Sequence, residues 1–328
     1  MDTGNWNSLM NKILIFTHWC SVNNFVMRIF LLTIFFFIFS SFAESKSYED
    51  TKRYKKDLAK ISKHNAFRDN NWEQYSINDI GDFKNILLII WNDGTRSDAY
   101  IDPCWKWRAP SIISNLHNKK INNLTIKIYH LCSGVKGWLQ DESDRMYNEM
   151  KRDNGDFYRL ENKYGVKLAD KYKALLRQNI IINKVDEFLN KGFENIVLSG
   201  QSGGAWVSLN LQSRFPDKVD GAIGFAPAVA GTANNWKHWK HWGALQEHEM
   251  NIINQSDTLN ALVFSHKDDP WHDEYIFSFF EKFHKMNIID PSSSLPCKTS
   301  GHGVAYSDCF ELYEEENKFI ENYLKKLF

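Results

Sequence analysis

The chain has 328 residues, 43% apolar and 24% charged, enough for one large folded domain with only modest room for a second. Lys plus Arg and Asp plus Glu number 40 each, so the formal charge of zero gives no global electrostatic case for nucleic acid or an anionic membrane as partner. Aromatic residues reach 15%, with 12 Trp, which points to an aromatic-rich core or aromatic clefts.

At the amino terminus, Met27-Arg28-Ile29 leads into the apolar run Phe30 to Phe39, followed by Ser40, Ser41, Phe42 and Ala43. A basic start, an apolar region and a small-x-small exit are the parts of a secretory signal, so residues 1–43 read as a processing segment cleaved after Ala43. A retained membrane anchor is the alternative, although Ile29 to Phe39 alone is short for a spanning helix. The residues ahead of Met27 read as a long leader to that signal or as an upstream start. Residues 44–328 are then a single domain, with no stable membrane insertion expected after processing.

Glu44 to Asn70 is polar and lysine-rich and reads as an exposed lead-in or short helix, and Trp72 to Ile80 as a short edge strand. Asn85 to Trp91, N-I-L-L-I-I-W, is a near-continuous apolar strand of the kind expected where both sheet faces are covered, and Asn92-Asp93-Gly94-Thr95 supplies the turn after it. Asp98 to Arg108 is a polar and aromatic loop that shapes a pocket mouth. Leu124 to Leu131 makes the next strand. Leu168, Tyr172, Leu176, Ile180, Val185 and Leu189 recur at helical spacing, giving an amphipathic helix that packs on the sheet.

Asn195 to Gly204, N-I-V-L-S-G-Q-S-G-G, is a short apolar strand that stops at Ser199-Gly200 and places Ser202 between glycines as G-x-S-x-G. A serine on a tight strand-to-helix turn needs small neighbours, because the backbone is strained and strand and helix must approach closely. Ala205 to Phe215 follows as a helix ending near Pro216, and Val219 to Ala226 as another strand. Trp236 to Trp242, W-K-H-W-K-H-W, reads as part of a short cap or substrate wall within 231–255. His238 and His241 lack a third ligand at a convincing spacing, so no metal is expected. Leu262 to Phe264 is a strand, S-H-K-D-D-P the turn after it, Tyr275 to Phe283 a helix, Ser300-Gly301-His302-Gly303 a flexible loop, and Glu311 to Leu327 a terminal helix.

With these stretches in order the chain resembles the α/β-hydrolase superfamily, in its secreted or periplasmic esterase-like form, over roughly Asn85 to Phe328. In that family a nucleophile on the elbow is followed by an acid near the end of a later strand and by a histidine in a loop before the final helix. The resemblance implies a predominantly parallel sheet covered by helices and a triad of Ser202, Asp269 and His302, with Asp268 the alternative acid one register away. It also implies an oxyanion hole from the backbone N–H of Gly203, next to the nucleophile, and of Thr95, in the loop where Asp93 stands in place of the common histidine. No cofactor is implied. The expected reaction is hydrolysis of a carboxylic ester, small or polymeric, through an acyl-enzyme. Peptidase, thioesterase, polyester depolymerase and a non-catalytic secreted binding protein are the alternatives.

Removal of residues 1–43 removes Cys20 and leaves Cys104, Cys132, Cys297 and Cys309, an even set that suits an oxidising compartment. Of the three pairings, Cys104 with Cys132 and Cys297 with Cys309 keep partners close in chain order. Reduced, buried cysteines are the competing reading.

Overall fold

The computed structural model describes residues 52–94, 104, 107–133, 173–229, 246, 249–257, 259–266, 268–271, 286–289 and 301–328. These lie within the unit Tyr48–Phe328. The signal-like segment, Thr95, Cys297, the aromatic stretch Trp236 to Trp242 and the helix expected at Tyr275 to Phe283 fall outside the described residues.

The lysine-rich lead-in supplies helix α1 (Lys52–Ser62) and then a strand that its polar composition did not announce, β1 (Ala66–Arg68). The expected edge strand is the short β2 (Gln74–Tyr75). It is followed by a 3-10 turn at Ile77–Asp79, where the Ser76 hydroxyl accepts from Asn78 N and Asp79 reaches back to Ser76 N in a capping box. The apolar run forms β3 (Ile86–Asn92), buried at every residue. A short helix α2 (Ser111–Ser114) and strand β4 (Lys120–Ile121) lead into β5 (Leu124–His130).

Helix α3 (Lys173–Asn190) precedes β6 (Asn195–Gln201), the serine turn and α4 (Gly203–Arg214), after which come β7 (Gly221–Phe225), β8 (Ala261–Phe264) and β9 (Met286–Ile289). The order across the sheet is β2-β1-β5-β3-β6-β7-β8-β9, with β4 paired to β5. From β5 to β9 the neighbours along this path are parallel, while β1, β2 and β4 pair antiparallel at one side.

Strand alternation divides the core into two layers. Leu88, Ile90, Ile196 and Leu198 face Ile181, Val185 and Phe188 of α3 and Trp206 and Leu209 of α4. Leu87, Ile89, Trp91 and Val197 face the other layer with Ile113, Phe310, Ile320 and Leu324. Continuous apolar runs in β3 and β6 are therefore required by helices on both faces.

The terminal helix expected at Glu311 to Leu327 is two helices, α5 (Asp308–Asn317) and α6 (Phe319–Leu327). Lys318 between them is left-handed, with φ 55° and ψ 38°, and the Glu314 carboxylate accepts from Ile320 N at 2.7 Å. That carboxylate satisfies a first-turn N–H of α6 that a continuous helix would have bonded internally. Ser307 caps α5 by accepting from Phe310 N.

Cys104 and Cys132 form a disulfide with Cα atoms 5.5 Å apart, linking the stretch after β3 to the end of β5. Among the described residues no helix is long and apolar enough to cross a membrane.

Candidate active site

Central strand β6 ends at Gln201, and Ser202 takes φ 55° and ψ −122°, outside the regions where L residues rest easily. A non-glycine residue held there costs about 1–3 kcal/mol, which the surroundings must hold in place. Ser202 N donates to Phe225 O at 2.9 Å, and Ser202 O accepts from Trp206 N at 3.0 Å and from Ala228 N at 3.2 Å. The turn is thus stitched to its own helix and to the end of the neighbouring strand β7. Its side chain is left projecting at the carboxyl edge of the sheet.

Asp269 and His302 converge on it from two later loops. Ser202 Oγ donates to His302 Nε2 at 2.9 Å, and His302 Nδ1 donates to Asp269 Oδ2 at 2.8 Å, with Oδ1 at 3.0 Å. A carboxylate only accepts, so the imidazole proton sits on Nδ1 and Nε2 is free to take the serine proton. Gln201 Nε2 donates to His302 O at 2.9 Å, tying the histidine loop to the residue before Ser202. Gly301 must lack a side chain, since a Cβ there would lie 2.6 Å from Asp268 C in the acid loop.

The two aspartates differ in burial and in their contact with His302. Asp269 has a side chain 0% exposed and accepts Trp271 N at 2.9 Å as well as the imidazole, whereas the Asp268 side chain is 70% exposed and lies 4.0 Å from His266. Asp269→Asn is expected to lower kcat by about 10³- to 10⁴-fold, because an amide that presents N–H to Nδ1 favours the wrong tautomer. Asp268→Asn is expected to stay within about 3-fold of the parent, as surface substitutions do. Steady-state kinetics on both folded variants check this, and a larger defect at Asp268 would reverse the assignment.

Gly203, the expected oxyanion donor, opens α4, where the first backbone N–H groups have no partner within the helix. Thr95, the other expected donor, lies outside the described residues. Trp271 sits beside the histidine, ring centroids 5.6 Å apart, and is 37% exposed. Among the described residues no three His, Cys, Asp or Glu side chains cluster as a metal ion would require. His238 and His241 lie outside them.

Two buried polar clusters stand behind the site, and local sequence did not reveal either. Glu249, fully buried, accepts from Asn210 Nδ2 at 2.8 Å, Gln178 Nε2 at 3.1 Å and Trp206 Nε1 at 3.3 Å, joining α3 and α4 to the helical residues 249–254. Burial pushes its carboxyl up, opposed by those donors and by the Arg214 charge. The second cluster gathers around Asp93, with Trp91, His130 and Arg177.

No family model matches the chain, and no curated protein does. Solved structures that resemble it include one from the pair of metagenome-derived lipolytic enzymes LipS and LipT, at 10% identity and TM-score 0.43 over 79% of this chain and 96% of that one. Est1E from Butyrivibrio proteoclasticus aligns at 11% identity and TM-score 0.44 over 79% and 93%. An S-formylglutathione hydrolase from Agrobacterium tumefaciens aligns at 10% and 0.39 over 74% and 85%. The strand order and the strand-turn-helix at Ser202 are those of the α/β-hydrolase fold. No substrate is carried over from these proteins.

Proposed function

We propose that this protein is a serine hydrolase that cleaves a carboxylic ester through an acyl-enzyme. The observation that carries the reading is the unbroken hydrogen-bond chain from Ser202 through His302 to buried Asp269, with the serine on a strained turn. Ser202 attacks the carbonyl while His302 takes its proton. Asp269 holds the imidazole and favours its positive form. Gly203 and Thr95 donate backbone N–H groups to the oxygen of the tetrahedral intermediate. His302 then returns the proton to the departing alcohol, and water repeats the sequence to release the acid. The site needs no cofactor for this.

The protein is read as extracytoplasmic, processed after Ala43, with 44–328 as one domain carrying a cap at 231–255. The Cys104–Cys132 disulfide supports an oxidising compartment. A small soluble ester is the preferred substrate.

Hydrolysis of a panel of esters differing in acyl and alcohol size tests the reading, and Trp271 sharpens it. His302 Nε2 must reach the leaving oxygen, at about 3 Å, and Trp271, with its ring centroid 5.6 Å from that of His302, is read as a wall against a larger alcohol. Trp271→Ala is expected to lower kcat/KM for aryl-alcohol esters by about 5- to 10-fold and to change methyl esters by less than about 2-fold. Equal losses on both series would remove Trp271 from the leaving-group side.

A further inference from the structure

Asp93 lies directly after β3 and takes no part in the chemistry above. Its carboxylate is buried, 7% exposed as a residue, and accepts from Trp91 Nε1 at 3.0 Å on Oδ1 and from His130 Nε2 at 2.6 Å on Oδ2. His130 closes β5 and is wholly buried, and its Nδ1 has no hydrogen-bond partner among the described residues. The backbone carbonyl of Asp93 accepts from Arg177 Nη2 of α3, whose Nε donates to Ser133 Oγ at 3.2 Å. One residue is therefore clamped at both its side chain and its backbone, from β3, β5 and α3.

The fold does not need this clamp to pair its strands. β3 and β5 are already in register from Ile86 opposite Thr125 to Trp91 opposite His130, and Leu131 N continues the ladder to Trp91 O at 2.9 Å. Buried ions cost several kcal/mol each in lost hydration and are replaced by apolar packing with little loss of stability, so stability alone gives little reason for them.

What the clamp holds is the backbone against the serine turn. A Cβ on Gly204 would lie 2.6 Å from Asp93 O, so the first turn of α4 rests directly on this peptide. A Cβ on Gly94 would lie 2.5 Å from Gln201 Oε1 and 3.2 Å from Ser202 Cβ. Residues 93 and 94 therefore pack closely against the turn on both sides of Ser202.

We propose that Asp93, clamped by His130 and Trp91, is a positioning residue that sets the spacing between the Gly94 turn and the Ser202 turn and thereby aligns the site where the tetrahedral oxyanion is stabilised. This rests on the serine-hydrolase reading. A displacement of the order of 1 Å in such a site costs about 10²-fold in rate, chiefly in the transition state rather than in substrate binding.

The test uses Asp93→Asn, His130→Gln and His130→Leu in the full chain. Each kcat is divided by the fraction of active sites titrated with a fluorophosphonate, and affinity is measured for a trifluoromethyl ketone that forms a tetrahedral adduct. The expected result for Asp93→Asn is a fall in kcat of about 30- to 100-fold, a parallel loss of ketone affinity, and KM within about 3-fold of the parent. His130→Gln, which can offer an amide N–H to the carboxylate, is expected to keep at least about a third of the parental kcat, while His130→Leu falls with Asp93→Asn. Normal kcat per titrated site in Asp93→Asn would overturn the proposal. So would equal behaviour of His130→Gln and His130→Leu, a comparison that decides the matter even if Asp93→Asn does not fold. A parent protein that hydrolyses ester while all three variants match it would sink this inference alone, and a parent that neither labels nor hydrolyses would sink the serine-hydrolase reading with it.

Discussion

Replacing Ser202 by alanine is expected to lower kcat by about 10⁴- to 10⁶-fold, a barrier increase of about 5–8 kcal/mol. The size follows from the role assigned to Oγ. Among the described residues it is the side-chain atom hydrogen-bonded to His302 Nε2, 2.9 Å away. Alanine keeps Cβ and so keeps the backbone at φ 55°, with the Phe225, Trp206 and Ala228 hydrogen bonds unaffected. Folding stability is therefore expected to move by less than about 1 kcal/mol, and far-ultraviolet circular dichroism to be unchanged. Residual turnover reflects the backbone donors and binding alone. A variant that keeps more than about a tenth of parental kcat would remove Ser202 from the reaction.

Glu249→Ala is expected to have the largest effect on stability, about 3 kcal/mol, or a fall in Tm of about 5–10 °C. The change leaves Trp206 Nε1, Asn210 Nδ2 and Gln178 Nε2 buried without their acceptor, at about 1–3 kcal/mol each, offset by removal of a carboxylate that burial disfavours. Since Trp206 and Asn210 lie on α4, the helix that starts at the serine turn, kcat is expected to fall with stability. The pH dependence has a definite sign. Burial raises the folded carboxyl above its ordinary 4.5, so the native state holds the proton more tightly than the unfolded chain. The stability it contributes is complete below pH 4.5 and is lost as pH rises through the raised value. Glu249→Gln, which cannot ionise, is thus expected to be less destabilising relative to the parent at pH 7.5 than at pH 5. Thermal melts of both variants across that range check the point, and a Tm within about 2 °C of the parent for Glu249→Ala would contradict it.

The parts legible in the sequence are those where local pattern and global position demand the same residues. β3 and β6 announce themselves because helices on both faces require unbroken apolar runs, and the elbow because Ser202 and its glycines meet a steric demand within five residues. Asp269 is proposed as the acid from its order between serine and histidine; it is buried and bonded to His302, whereas the Asp268 side chain is exposed. The clusters around Asp93 and Glu249 were not readable. They join residues 37 and 71 positions apart, and no spacing rule links Asp93 to His130 or Gln178 to Glu249. The break at Lys318 was hidden for a similar reason, since neither glycine nor proline marks it and the Glu314 carboxylate stabilises it through the next helix. Gln201 occupies a freely variable place in the elbow pattern, so its bond to His302 O carries no sequence signal.

The central claim is that Ser202 is an activated nucleophile, and peptide mass spectrometry of the folded protein after reaction with a fluorophosphonate tests it most directly. The account predicts a single adduct per chain on the peptide carrying Ser202, absent from Ser202→Ala and greatly slowed in His302→Ala. Labelling at another residue, or no labelling of Ser202 in protein that is demonstrably folded, would contradict it.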